Sequence, residues 1–159
     1  MGLVELKRRY GELQKKYGLP SFKEMNEDFY IEKISETDTE ILIREVKRHV
    51  GDRLANYLRF LESFLNPGNA PMFVYSIVKT VNAEDKKKIS EAYKNLVKNE
   101  IRFIALDIEF NESEEAKFIK ESFELWQDMK KSLSGLFGRL EKSWDSAGQA
   151  NGENKGYFG

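Results

Sequence analysis

Between Thr37 and Pro67 the residues Ile43, Val46, Val50, Leu54, Tyr57, Leu58, Leu61 and Phe64 recur at spacings of mostly three and four. That is the period of one face of an α-helix. A strand sends every second side chain to the same face, so this pattern does not suit a sheet. A helix carrying so long an apolar stripe must be covered by other elements, which constrains the fold more than any other feature of the chain. Thr37 and Asp38 are the candidate caps at its start. Pro67 and Gly68, in NPGNAP, break the pattern at its end.

The remaining segments read as neighbours for that helix. Leu3, Leu6, Tyr10, Leu13 and Tyr17 form a second stripe, stopped by Gly18 and Pro20. Ser21 with Glu24 is a capping box, which predicts a short helix fading into an extended link through FYIEKI. The β-branched residues of MFVYSIVKTV, residues 72–81, favour a strand. With no second convincing strand to pair with, and with Asn69 before Ala70-Pro71 as a start signal, the segment is expected to be a short buried helix. Asn82 or Ala83, followed by Glu84 and Asp85, opens a helix to Phe110. Its last part, IRFIALDIEF, is apolar nearly all round, as in a helix surrounded by others; a strand is the alternative there. After NES at 111–113, a last helix carries Ile119, Phe123, Trp126, Met129, Leu133, Phe137, Leu140 and Trp144. Beyond Trp144 the chain is polar and glycine-rich, the composition of a flexible tail.

The expected fold is therefore all-α, a single-domain bundle of five to six mostly antiparallel helices over 1–145, with a tail at 146–159. Ile43, Val50, Leu54, Leu61, Leu96, Phe103, Ile104 and Trp126 are the predicted core. A length of 159 residues suits one domain, and 40% apolar residues can fill a core. The 26 basic and 27 acidic side chains nearly cancel, so bulk charge does not draw the chain to nucleic acid or anionic lipid. Neither an apolar leader nor a run of roughly 20 apolar residues is present, and the predicted location is the cytoplasm.

The stretch KYGLPSFKEMNEDFYIEKI, residues 16–34, resembles the N-terminal part of small uncharacterised helical proteins of archaea, in its LPSF followed by acidic residues and isoleucine. The resemblance implies an archaeal source and a helical fold. It implies no activity and no site residue.

Chemistry is limited by what the chain lacks. It has no cysteine and one histidine, His49. Thiolate zinc sites are excluded, a di-iron bundle cannot be assembled, and His49, with Glu45 one turn before it, reads as a surface or boundary residue rather than a triad base. No catalytic residue, metal ligand or cofactor is expected. Asp107 interrupts an apolar run, and burial there would require a partner, expected to be an Arg or Lys of another helix. Arg44, Lys47 and Arg48 share a helical turn and define an alternative reading, a nucleic-acid-associated protein with a local basic patch. Glu40, Glu45, Asp52 and Glu62 are interleaved with them. An enzyme relying on carboxylates alone is a third reading.

The most distinctive segment is MKKSLSGLFGRLEKSW, residues 129–144. Leu136, Phe137, Leu140 and Trp144 lie beside Lys130, Lys131, Arg139 and Lys142, an amphipathic arrangement suited to a partner's groove or a membrane surface. Such a stripe is more often core, and that is the favoured reading, with Gly135 and Gly138 letting the helix pack closely on its neighbours. Tyr157 and Phe158 end the polar tail, and a terminal aromatic pair is of use where something buries it. The leading reading is a non-enzymatic interaction or scaffold protein using its helical surfaces and this tail. Its partner would be a protein, self-association included.

Overall fold

A computed structural model describes residues 1–153, with side-chain environments for 1–146. It is all-helical, with no strand among the described residues. The α-helices are α1 (Leu3–Tyr17), α2 (Phe22–Phe29), α3 (Leu42–Leu65), α4 (Met72–Val78), α5 (Ala83–Ile108) and α6 (Glu112–Glu153). Short 3-10 segments at Ile31–Glu36 and Pro67–Asn69 bring the helical elements above the expected five to six.

Local chemistry explains most boundaries. α1 ends where Gly18 takes a left-handed conformation (φ 67°) and its N–H bonds back to the Gln14 carbonyl. The capping box at α2 is formed: the Glu24 N–H donates to Ser21 Oγ at 3.2 Å, and the Ser21 N–H donates to Glu24 Oε2 at 2.9 Å. That backbone bond, then the Ser21 hydroxyl, holds the exposed Glu24 carboxyl below its usual range. The Asn82 side chain caps α5 by accepting the Asp85 N–H at 2.8 Å, and Asn111 does the same for Glu114 at α6.

Other segments depart from expectation. FYIEKI is not extended; Tyr30 turns left-handed (φ 53°) and Ile31–Glu36 coils into a 3-10 helix that buries Ile31 and Ile34. Neither Thr37 nor Asp38 caps α3, which starts at Leu42, because Thr37 instead closes the 3-10 segment by bonding to the Ile34 carbonyl. MFVYSIV is helical as expected, but only half buried: Val74 and Ile77 face inward while Met72, Phe73 and Tyr75 are exposed. α6 continues through Ser146–Glu153, where the tail was expected to begin. An established helix extends at the cost of fixing one residue per bond gained. Tyr157 and Phe158 lie outside the described residues.

The chain forms two compact units. The first comprises Met1–Leu58 and Asn95–Gln127. Pairings there fix helix direction. Lys47 meets Asp107 and Gly51 meets Phe103, so α3 and α5 run antiparallel. Arg102 meets Glu114 and Asn99 meets Ser122, so α5 and α6 are antiparallel too. Lys47 against Glu115 and Tyr57 against Trp126 make α3 parallel to α6. The interior holds Leu6, Tyr10, Met25, Ile43, Val50, Leu54, Leu96 and Ile119. Tyr10 donates its hydroxyl to the Pro20 carbonyl at 2.6 Å, and burial pushes its phenol far upward.

The second unit comprises Arg59–Lys94 and the chain from Asp128 onward. Leu61, Phe64, Val74, Ile77, Ile89, Leu133, Leu136 and Leu140 are buried in it. Phe60 packs against Phe137 with ring centroids 5.8 Å apart. The Arg139 guanidinium holds Asp85, which is buried, in a two-bond ion pair.

Candidate interaction surface

Charge is unusually deep at the junction of α3, α5 and α6 in the first unit. Lys47 and Glu115 are both wholly buried. The Lys47 ammonium lies 2.7 Å from Asp107 Oδ1 and 2.9 Å from Glu115 Oε1, and 5.2 Å from the centre of the Phe103 ring. The Glu115 contact is an ion pair without hydrogen-bond geometry, and Glu115 Oε2 accepts no bond at all. Arg44 approaches Glu115 at 3.8 Å and stacks over Phe110. Asp107 thus has the lysine partner expected of it from another helix, although it is 47% exposed and Lys47 is the buried member. Two cations and two carboxylates cancel here, so the cluster fastens three helices together and projects no net field.

The same geometry removes the basic turn. Lys47 is enclosed, Arg44 faces Glu115, and Arg48, though exposed, bonds to Glu45 at 2.8 Å. Arg44, Lys47 and Arg48 are therefore not brought together as a surface for phosphate. His49 sits at the boundary, half buried. No group of three or more His, Cys, Asp or Glu among the described residues is arranged to hold a metal ion. Among the described residues no helix is long and apolar enough to cross a membrane. A cleft of about 460 Å³ opens beside Ile41 and Phe110, but its cations are engaged. Arg9 bonds to the carbonyls of Thr39 and Glu40, and Lys16 to Glu112.

Residues 129–144 turn their apolar stripe inward. Leu136 and Leu140 are core, Phe137 is half buried on Phe60, and only Trp144 is exposed. The glycines there are not close-packing sites: a Cβ at Gly138 meets nothing, and one at Gly135 meets only the end of Arg139. The close approach is at Gly51 instead, where an added Cβ would stand 2.3 Å from the Phe103 ring.

The surface that stands out is on α5. Ile101, Ile104 and Ile108 are 63%, 54% and 84% exposed. Ile104, expected in the core, is turned to solvent, and IRFIALDIEF is not covered all round. At 100° per residue, Ile101, Ala105 and Ile108 fall on one line with Ile104 beside them, while Leu96, Phe103 and Leu106 point the other way. The run thus carries two apolar stripes, and only one of them is used to build the unit. A helical-wheel reading of this run separates the two stripes; Gly51 in mid-helix is the corresponding signal for the approach of Phe103. Nothing local signals that Lys47 and Glu115 are buried. In the second unit, Met72, Phe73 and Tyr75 make a smaller exposed cluster on α4, with Lys79 near the Tyr75 ring.

No protein family, curated relative or solved structure matches the chain.

Proposed function

We propose that the protein is a non-enzymatic interaction or scaffold protein of the cytoplasm, working through helical surfaces, with the outer face of α5 as its principal docking surface. The observation that carries this reading is the row of exposed isoleucines at 101, 104 and 108 in a chain where a third of the residues are charged. Three large aliphatic groups in one stripe lower the free energy of the chain when covered, and anchors spaced i, i+3, i+7 are those by which helices dock in grooves. The α4 cluster and the Tyr157–Phe158 ending are secondary contacts in the same reading. The nucleic-acid reading is weaker, since Lys47 is enclosed and Arg48 paired.

The test uses exposed positions, so folding is preserved. An Ile101→Ser/Ile104→Ser/Ile108→Ser variant is expected to keep the helical dichroism and unfolding midpoint of the wild type. It should lose the stoichiometric protein that the tagged wild type retains from an extract of its source. Equal retention by both proteins would remove α5 as the docking surface.

A further inference from the structure

We propose that the α5 face docks on the same face of a second copy, the two helices lying antiparallel across a two-fold axis near Ile104. This rests on the interaction reading and specifies its partner. The first support is charge. Lys98 on α5 and Glu109, the residue that follows its last, Ile108, are both exposed and flank the isoleucine stripe on the same edge, about three helical turns apart. In an antiparallel pair related by a two-fold axis, like edges meet and each helix runs against the other's direction. Lys98 of one copy then meets Glu109 of the other, and the contact is made twice. In a parallel two-fold pair opposite edges meet, and Lys98 and Glu109 would not face each other.

The second support is shape. In the antiparallel pair the two isoleucine stripes face each other, with Ile104 near Ile104 at the axis and Ile101 of one copy toward Ile108 of the other. Ala105, at the middle of the face, has no bulk to hold the backbones apart. Size sets the strength. Three isoleucines alone fall short of the roughly 800 Å² per partner found in standard interfaces, so the dimer is a weak, reversible one.

Sedimentation equilibrium on the full chain, from low micromolar to millimolar, tests this. The wild type should pass from monomer to dimer, and Ile104→Glu should stay monomeric with unchanged helical dichroism. Lys98→Glu and Glu109→Lys should each weaken the dimer roughly tenfold, and the double exchange should restore it, because both pairs are re-formed with reversed sign. A wild type that remains monomeric overturns self-docking. If the triple serine variant still loses a captured partner, the interaction reading survives that result; if it does not, both fall. A dimer indifferent to Ile104→Glu places the contact elsewhere, and a double exchange that fails to restore association overturns the antiparallel pairing.

Discussion

Replacing Lys47 with methionine is expected to destabilise the protein by about 3–5 kcal/mol, the usual cost of removing one partner from a buried ion pair. The side chain is wholly enclosed, and its ammonium sits within 3 Å of both Asp107 and Glu115. Asp107 is half exposed and can be solvated without its partner. Glu115 cannot: it is fully buried, Oε2 already lacks a donor, and Arg44 at 3.8 Å is too distant to replace the ammonium. The loss therefore comes from a stranded carboxylate more than from a missing attraction. It follows that Lys47→Met/Glu115→Leu should recover most of the stability, since apolar groups of similar volume often equal or exceed a buried pair. Urea midpoints of the two single variants and the double variant measure the coupling directly. A Lys47→Met midpoint equal to that of the wild type would mean the ammonium is solvated and the cluster does not fasten the helices.

Gly51→Ala is the second large effect, and its sign is opposite to helix propensity. Alanine at an exposed mid-helix glycine gains up to about 1 kcal/mol. Here the new methyl would meet the Phe103 ring at 2.3 Å. The ring is flanked by Phe118 at 5.8 Å between centroids and by the Lys47 ammonium, so it has little room to withdraw. Overpacking of this kind costs about 1–3 kcal/mol, which outweighs the propensity gain. In a Phe103→Leu background, where the ring is gone, the same glycine-to-alanine change should become neutral or stabilising. A stabilising Gly51→Ala in the wild-type background would show that α3 and α5 are not in close contact at this point.

What was legible in the sequence follows from how far each interaction reaches along the chain. The α3 stripe, the Ser21–Glu24 box and the Asn82 cap depend on residues within a few positions of each other, so spacing reveals them. The lysine partner of Asp107 could be expected in kind, because a carboxylate in an apolar run must be compensated. Its identity could not, because the packing of α3 on α5 selects Lys47 from several basic residues in α3. Lys47 reads as one of a basic turn with Arg44 and Arg48 for the same reason, and no nearby residue marks Glu115 as its partner. IRFIALDIEF misled in the opposite sense. An apolar run states that two faces are hydrophobic, but only tertiary packing decides that Phe103 and Leu106 face the other helices while Ile101, Ile104 and Ile108 face solvent. In 129–144 the stripe reads as core before it reads as a partner surface, and Leu136 and Leu140 are inward as that reading expects, while Trp144 is exposed.

Docking of one copy on another makes the outer face of α5 the place where this protein is touched. A methyl spectrum of isoleucine-labelled protein, followed by dilution from millimolar to low micromolar, reads that face residue by residue. Self-docking predicts concentration-dependent shifts at Ile101, Ile104 and Ile108, with the buried methyls of Ile43, Ile89 and Ile119 unmoved. Shifts confined to other isoleucines, or none at any concentration, would contradict self-docking through this face.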